Sequence, residues 1–215
     1  LVTVLPLIGL AAFYLAWFEA SLHESVLANM ATIADKKAHQ IEFYMKERLA
    51  HAHLLSQRNL IRTSLVKLEQ AYHTDGLDSD RYQAVTRPLR NDFGVSYEAG
   101  NFYDFLLMDT AGNVLFSLRR DADLGTNLRS GPYRDSQLAK GFKLALQSRQ
   151  PHLSGFALYA PSENQPVAFL TTAVWDQDKI IGVLALRLDE HTLESVTADL
   201  TGLGRTGEPV LAPPD

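Results

Sequence analysis

The chain contains no cysteine among its 215 residues. This absence excludes disulfides, catalytic thiols, zinc–thiolate centres and iron–sulfur clusters. A chain of this length buries enough apolar surface to fold without a covalent or metal staple. The absence of cysteine also suits an oxidising compartment outside the cytoplasm.

Positive charge is in short supply as well. The chain has 20 Lys and Arg residues against 25 Asp and Glu, which gives a net charge of −5. A protein that binds nucleic acid mainly through its phosphates needs the opposite balance. We therefore expect no nucleic-acid partner.

Charge is absent altogether from residues 1–18. A helix of this length spans about 27 Å, close to the roughly 30 Å hydrocarbon core of a bilayer. Tyr14, Trp17 and Phe18 close the segment, as aromatic side chains do at a membrane surface. The sequence predicts a membrane anchor over residues 1–18, within a transmembrane helix assigned to 1–20 and cut short at its N-terminus. A cleaved signal peptide and a buried core helix are the alternatives.

The flank after this segment has no Lys or Arg. Residues 19–35 carry Glu19, Glu24 and Asp35. Because cytoplasmic flanks are enriched in basic residues, this flank is expected on the outer side of the membrane. We expect the residues after about position 20 to lie outside the cytoplasm.

Proline and glycine are both absent between Leu22 and Tyr72. The segment is rich in helix-forming residues and predicts a helix of about 50 residues, about 75 Å long. Apolar residues recur along it at steps of three and four, namely Met30, Ala34, Ala38, Ile41, Met45, Leu49, Ala52 and Leu55. Such a stripe favours pairing with a second copy, and we expect a homodimer formed through residues 30–60. A bent or broken pair of core helices is the alternative.

After Tyr72 the pattern changes from helical to strand-like. Residues 73–76 end the helix, and a short helix with Pro88 inside it is predicted over 79–91. Two apolar strands, 103–108 and 114–118, flank a turn-forming segment over 109–113. This arrangement predicts a β-hairpin.

The remaining segments predict more helices and strands. Residues 136–150 form an amphipathic pattern that Pro151 ends. The further predictions are strands at 153–160, 167–175 and 179–188 and a helix at 190–200. Short connections between the strands predict antiparallel neighbours. The fold class is therefore α+β, with a long N-terminal helix followed by a five-stranded, mostly antiparallel sheet and helices packed around it.

Several segments in this order resemble the extracytoplasmic Cache sensor domains, which are PAS-like modules of bacterial membrane receptors. They are the apolar span with its long helix, the hairpin from Tyr103 to Val114, Leu124-Gly125 before a helix, and the strand-to-helix segment from Gly182 to Leu193. A further segment, Gly202 to Glu208, resembles the link to a second module in double-Cache members. The resemblance covers nearly the whole chain.

The resemblance implies how the chain is divided and what it does. The long helix over 22–72 would lie in the periplasm, and residues 73–200 would form the membrane-distal sensor domain. Residues 201–215 would be a linker and the first strand of a second module. The protein would sit in the bacterial inner membrane and feed a histidine kinase, a chemotaxis transducer or a cyclic-di-GMP enzyme.

One departure from the family concerns ligand choice. Amino-acid-sensing members carry an aromatic–Arg–aromatic cluster that includes Trp, whereas the nearest stretch here, residues 129–134, has no Trp and a different spacing. Arg119, Arg129 or Arg134 can still supply a two-pronged contact to a small carboxylate. We expect a small ligand, either an organic acid, an amine or an amino acid.

Candidate ligand-binding residues lie on the predicted strands and on the loop over the sheet. They are Arg119, Tyr133, Arg134, Tyr159, Thr171 and Arg187. Each has a simpler alternative. Tyr159 and Thr171 can belong to a solvated outer face, Arg187 can pair at a strand end, and Tyr133 can be a packing lid.

No catalytic motif fits its context. Gly202, Gly204 and Gly207 have the spacing of a dinucleotide fingerprint, but they follow a predicted helix instead of joining a strand to a helix. His191 and Glu194 lack the second His of a zinc helix. We expect a sensor module that is not an enzyme, without a cofactor or a metal site. The alternative is a protein-interaction or dimerisation module with no small-molecule ligand.

Overall fold

The structure is a computed structural model that describes residues 4–98 and 102–189. The helices are α1 (Val4–Ser56), α2 (Asn59–Asp75), α3 (Asp80–Glu98) and α4 (Gln137–Ser148), with a single 3-10 turn at Ala160–Ser162. The strands are β1 (Asp104–Asp109), β2 (Val114–Ser117), β3 (His152–Leu153), β4 (Ala157–Tyr159), β5 (Gln165–Asp176) and β6 (Lys179–Asp189). This element order confirms the predicted α+β fold.

The chain divides into two compact units. One takes in the residues up to Phe43, and the other runs from Tyr44 to Ser195. In the first unit, helix α1 exposes large apolar side chains that include Leu22, Val26, Leu27 and Met30. The second unit holds the end of α1, the sheet and its covering helices. The site described below belongs to this second unit.

The predicted long N-terminal helix is confirmed, but its end at Tyr72 is wrong, because the helix breaks after Ser56 as the broken-helix alternative allowed. Helix α1 ends at Ser56, and α2 starts at Asn59 after Arg58, whose backbone is extended at φ −65° and ψ 135°. Leu55 at the end of α1 and Ile61 at the start of α2 are both buried in the same hydrophobic cluster. The interruption lets both helices bury apolar side chains against one sheet.

Two further predicted helices form with small changes at their ends. The short helix over 79–91 is confirmed and extends to Glu98, with Pro88 inside it. The helix predicted over 136–150 is confirmed as α4. Ser136 caps α4 by accepting a hydrogen bond from the Ala139 backbone N–H.

The sheet has the strand order β2-β1-β6-β5-β3, with β4 also paired to β5, and all of these pairs are antiparallel. The strand predicted over 153–160 is divided into β3 and β4. Between them the Ser154 hydroxyl accepts a hydrogen bond from the Phe169 backbone N–H at 2.9 Å. Since β3 and β4 both lie beside β5, the sheet has five strand positions, as predicted.

The predicted hairpin is confirmed in its turn chemistry. The Asn113 backbone N–H donates to Asp109 Oδ1 at 2.8 Å, and the Asn113 amide donates to Asp109 Oδ2 at 2.7 Å. Gly112 takes a φ of 95°, which glycine adopts without strain.

Two hydrophobic clusters cover the two faces of the sheet. The end of α1 packs with α2 and α3 on one face, which we call the helical face; its sheet residues include Phe105, Leu107, Leu170, Leu184, Leu186 and Leu188. Helix α4 and the loop before it cover the other face, which we call the loop face; its sheet residues include Leu106, Met108, Val167, Phe169, Val183 and Ala185. Alternation along each strand separates the two sets.

Some predictions concern residues outside the described ranges. The helix at 190–200, the linker and first strand at 201–215 and the first three residues of the anchor belong to this group. Within the described part of the chain, no helix meets the length and hydropathy needed to span a bilayer.

Gly182 allows helix α2 to pack closely on the sheet. A β-carbon added there would collide with the Met108 carbonyl oxygen and lie 2.5 Å from Leu65 Cδ2. We expect Gly182→Ala to lower the free energy of unfolding by about 1–3 kcal/mol, as overpacking does. Gly155→Ala is the control, because a β-carbon at Gly155 meets nothing within 4 Å. Urea unfolding of both variants makes the measurement, and equal losses would contradict the packing argument.

Candidate functional site

A group of charged side chains lies buried on the loop face, where β1, β6 and β5 run side by side. Arg187 on β6 stands opposite Asp104 on β1 and Phe169 on β5 in the strand register. The loop between β2 and α4 adds Asp121 and Asp123. We call Asp104, Asp121, Asp123, Tyr159 and Arg187 the Arg187 cluster.

Arg187 is the centre of this cluster and is fully buried, with 0% of its surface exposed. Its Nη2 donates to Asp121 Oδ2 at 2.7 Å and lies 3.9 Å from Asp104 Oδ2. The guanidinium group stacks over the Tyr103 ring, 4.5 Å from the ring centre. Its Nε and Nη1 are buried and have no hydrogen-bond partner among residues 4–98 and 102–189. Within that part of the chain, two strong donors are thus held away from solvent without an acceptor.

Asp104 is held in place by three donors. Its Oδ1 accepts from the backbone N–H groups of Phe105 at 2.7 Å and Arg119 at 3.2 Å, and its Oδ2 accepts from the Ser117 hydroxyl at 3.0 Å. Burial raises the pKa of Asp104 to about 6, against the opposing effect of the Arg187 charge and of these hydrogen bonds.

Asp123 and Tyr159 form a second buried pair. The Tyr159 hydroxyl donates to Asp123 Oδ2 at 2.8 Å, whereas Asp123 Oδ1 is buried and has no partner in the described part of the chain. Burial raises the pKa of Asp123, and the Tyr159 hydrogen bond and the Arg187 charge oppose that rise. Burial and the neighbouring Asp123 charge raise the pKa of Tyr159, so its hydroxyl stays a donor.

Aromatic rings line two sides of the cluster. Tyr159 packs edge-on against Phe169 with ring centres 5.0 Å apart, and Tyr133 lies 6.0 Å from Tyr159. Tyr103 lies beneath two guanidinium groups, since Arg119 is 4.3 Å from its ring centre and Arg187 is 4.5 Å from it. These rings give the site apolar walls around a few polar groups, as small-molecule sites usually have.

The loop over the cluster is fastened at several points. The Asn127 side-chain amide donates to Asn113 Oδ1 at 2.9 Å and to the Ala111 carbonyl at 3.2 Å. The Tyr72 hydroxyl donates to the Gly125 carbonyl at 3.1 Å. The loop is therefore tied both to the β1–β2 turn and to helix α2.

The predicted site residues separate into two groups. Arg187 and Tyr159 are members of the cluster, Arg119 lies at its edge with Nε 3.7 Å from Asp121 Oδ2, and Tyr133 packs against Tyr159. The solvated outer face considered for Tyr159 is not found, because only 3% of Tyr159 is exposed. The lid alternative for Tyr133 agrees with its half-buried position against the loop-face core.

Arg134 and Thr171 do not join the cluster. The side chain of Arg134 is 60% exposed and lies 3.5 Å from Asp135. Thr171 is buried beneath helix α4, where its Oγ1 would be 2.8 Å from a β-carbon on Gly141. A solvated face for Thr171 is therefore wrong, and its position is explained by close packing of α4 on the sheet.

Three acidic residues were missing from the predicted site. Asp121 and Asp123 follow a pair of arginines in a loop, where charged residues are ordinarily solvated. Asp104 carries a signal in the sequence that could have found it, because a charged residue beside the apolar run Phe105–Met108 of a buried strand needs a buried partner.

Comparisons with known proteins support the fold. No protein-family model matches the chain, and no curated protein matches it at a significant level. Among solved structures, the sensor domain of the V. cholerae histidine kinase DctB matches with a TM-score of 0.59 and 20% identity, over 80% of this chain and 59% of that one.

Two chemoreceptor domains match similarly. The ligand-binding domain of Campylobacter jejuni Tlp3, in complex with 4-methylisoleucine, has a TM-score of 0.59 and 18% identity, over 83% of this chain and 64% of that one. That of Pseudomonas fluorescens CtaA, in complex with L-serine, has a TM-score of 0.51 and 17% identity, over 76% of this chain and 59% of that one. The chain thus spans about three-fifths of the length of these domains and shares their fold, which confirms the predicted PAS-like Cache architecture.

The raised pKa of Asp104 predicts a pH dependence of stability. The folded-state pKa of about 6 exceeds the ordinary 3.8, so protonated Asp104 stabilises the fold below about pH 4 and this contribution is lost as the pH rises through 6. This rise in the pKa of Asp104 corresponds to a change of about 3 kcal/mol in the free energy of unfolding between low and neutral pH. The side chain of Asp104→Asn stays neutral at every pH, so the variant should not show this loss of stability as the pH rises.

Urea unfolding of the wild type and Asp104→Asn between pH 4 and 7 provides the test. The variant should gain stability relative to the wild type as the pH rises. Asp92→Asn, at a partly exposed surface ion pair with Arg58, is the control and should not reproduce this change. If the wild type gained stability relative to Asp104→Asn over this range, the ion pair with Arg187 would outweigh burial and the prediction would be wrong.

Proposed function

We propose that the chain is the ligand-sensing input domain of a bacterial membrane receptor and that the Arg187 cluster binds a small molecule. The observation that carries the proposal is the set of unpartnered atoms in the cluster. Arg187 offers Nε and Nη1, and Asp123 offers Oδ1, all of them buried. A buried polar group without a partner is costly, so a group of such atoms at one place favours a ligand that completes their hydrogen bonds.

The chemistry of these atoms defines the ligand class. The charged Arg187 donors Nε and Nη1 point to different sides of the guanidinium group, and each suits an anionic oxygen such as that of a carboxylate. The free Asp123 oxygen suits an ammonium or another donor on the same molecule. Three carboxylates against the two guanidinium groups of Arg187 and Arg119 disfavour a dicarboxylate. We therefore infer a ligand with one carboxylate and one cationic or hydrogen-bond-donating group, as in an amino acid or an amino-substituted organic acid.

Two of the structurally similar domains were solved with molecules of this chemical class. The Tlp3 and CtaA domains are described in complex with 4-methylisoleucine and L-serine, and each of these molecules carries both a carboxylate and an amino group. Those ligands belong to those proteins. For this chain the residues of the cluster define the ligand class, because the likeness to those domains is one of fold.

Strand β6 offers a route from the ligand to the helix. Arg187 lies on the loop face, while its neighbours Leu186 and Leu188 pack on the helical face in the same cluster as Ala52 and Leu55 of α1. A ligand that shifts β6 therefore acts on the packing of the end of α1. Such a ligand changes signalling only to the extent that it binds two arrangements with different affinity.

The placement of the receptor forms part of the same proposal. We propose that residues 1–18 anchor the chain in the inner membrane, that the sensor lies in the periplasm, and that two copies pair through the exposed start of the predicted 30–60 segment, at Met30, Ala34 and Ala38. The later part of that stripe is excluded from pairing, because Ala52 and Leu55 are buried in the core of the same chain. Two observations support this placement: residues 1–18 carry no charge, and the apolar side chain of Met30 is 55% exposed.

The ligand site is tested by a thermal-shift screen of the purified chain with amino acids, amines and organic acids, followed by calorimetry on any hit. Tyr159→Phe removes the hydroxyl that orients Asp123, and we expect it to weaken binding about tenfold, equivalent to about 1.4 kcal/mol. Tyr82→Phe is the matched control. Its hydroxyl is also buried, donating to the Leu115 carbonyl at 3.0 Å, but it belongs to the helical face.

The outcomes separate the two candidate functions. Binding that Tyr159→Phe weakens and Tyr82→Phe leaves intact supports a ligand site at the cluster. If no compound raises the melting temperature while a co-purifying protein does, the sensor proposal fails. That result would support the alternative of a protein-interaction module with no small-molecule ligand. Equal weakening by both variants would show that the effect comes from stability and not from ligand contact.

The dimer is tested by light scattering of the full chain. Ala34 and Ala38 lie on the predicted stripe and are exposed. A buried carboxylate at a helix pair is costly, so we expect Ala34→Glu and Ala38→Glu each to weaken association about tenfold or more. Lys36→Glu changes charge on the opposite side of the helix and is the control. A wild-type monomer at high concentration would contradict the prediction.

A further inference from the structure

We propose that Glu69, His73 and Asp109 form a binding site for a divalent transition-metal cation. Each of the three offers one ligand atom, and these atoms all lie within 4.8 Å of one another. Glu69 and His73 belong to helix α2, and Asp109 ends strand β1 at the hairpin turn. The site therefore joins α2 to the β1–β2 turn.

Helix geometry aligns the first two ligands. Residues four apart on an α-helix lie on the same face, one turn above each other, so Glu69 and His73 point in a common direction. Leu65, one turn earlier, is the residue that packs at Gly182, with Cδ2 2.5 Å from where a β-carbon would be. Gly182 stands opposite Asp109 in the strand register. Close packing at Gly182 thus directs the next turns of α2 toward Asp109.

Asp109 is a preorganised ligand. It is only 1% exposed, and the Asn113 backbone and amide N–H groups each donate to one of its carboxylate oxygens, at 2.8 Å and 2.7 Å. Second-shell donors of this kind orient a metal-binding carboxylate and leave a lone pair on each oxygen for the ion. His73 Nε2 lies 3.8 Å from Asp109 Oδ2.

The charges at this position are unbalanced. Within residues 4–98 and 102–189, the one ion pair of Asp109 is with His73, whose side chain is 56% exposed. Glu69 adds a second carboxylate at the same place. A buried carboxylate is ordinarily paired with a cation or bound to a metal. A divalent cation would balance both carboxylates.

The donor set defines the class of ion. One imidazole with two carboxylates suits Zn²⁺ and neighbouring first-row ions, whereas Ca²⁺ and Mg²⁺ prefer oxygen ligands alone. Ligand atoms around such an ion stand about 3 to 3.5 Å apart. The exposed His73, in the last turns of α2, can rotate to close the remaining gap, and water completes the coordination.

This site is independent of the proposed ligand function. Asp109 alternates with Met108 along β1 and faces α2, whereas the Arg187 cluster lies on the loop face. Occupation by a metal would fasten α2 to the hairpin turn. It would also correct the expectation from sequence that the chain has no metal site.

Calorimetric titration of the untagged, chelator-stripped full chain with Zn²⁺ tests the inference. We expect one saturable site, a raised melting temperature with Zn²⁺, and little response to Ca²⁺. His73→Ala and Glu69→Gln should each weaken Zn²⁺ binding about tenfold or more. Both change side chains that are not fully buried, so the metal-free melting temperature should stay near that of the wild type.

His53→Ala is the matched control, because His53 also lies on a helix but hydrogen-bonds the Gln57 side chain at 3.0 Å. It should bind Zn²⁺ as the wild type does. The inference is overturned if the wild type shows no saturable Zn²⁺ binding, or if His73→Ala binds as tightly as the wild type. Loss of binding in His53→Ala equal to that in His73→Ala would also overturn it, since binding would then be nonspecific.

Discussion

A guanidinium group without access to solvent is the constraint on which the rest of the loop face depends. Arg187 lies near the end of the central strand β6, in a sheet whose other buried positions are mostly apolar, and the Asp121 carboxylate, 2.7 Å from its Nη2, balances its charge there. Removing one partner of a buried ion pair leaves an uncompensated charge. The loop that supplies Asp121 and Asp123 must therefore keep its place over the sheet. Charge balance, as much as apolar burial, fixes the shape of this face.

Much of the fold follows from local sequence signals. The hairpin was predictable because Asp109 and Gly112 are turn residues between two apolar runs, and helix α4 because an amphipathic segment ends at a proline. The break between α1 and α2 was not, since Gln57 and Arg58 have ordinary helix propensity. The helix breaks there because both Leu55 and Ile61 pack into the same core, a tertiary demand that no local pattern reveals.

The site was less predictable than the fold. Alternation along a strand placed Tyr159 and Arg187 as candidates, and both belong to the cluster. Asp121 and Asp123 were missed because a loop has no periodicity from which side-chain direction can be inferred. Thr171 was misjudged because its surroundings depend on Gly141 of α4, whose missing side chain lets that helix approach the strand. In both cases the surroundings of the side chain depend on contacts between segments that are distant in the sequence.

The ties that hold the loop from Asp121 to Ser136 have a kinetic meaning. Hydrogen bonds hold this loop to the β1–β2 turn through Asn127 and to α2 through Tyr72, so the loop is attached to the fold at both places. A molecule bound beneath it would pass by rotation of side chains at the rim, where Arg119 lies over the Tyr103 ring. The time that such a molecule stays bound would then be set by how often the Arg119 guanidinium leaves the Tyr103 ring.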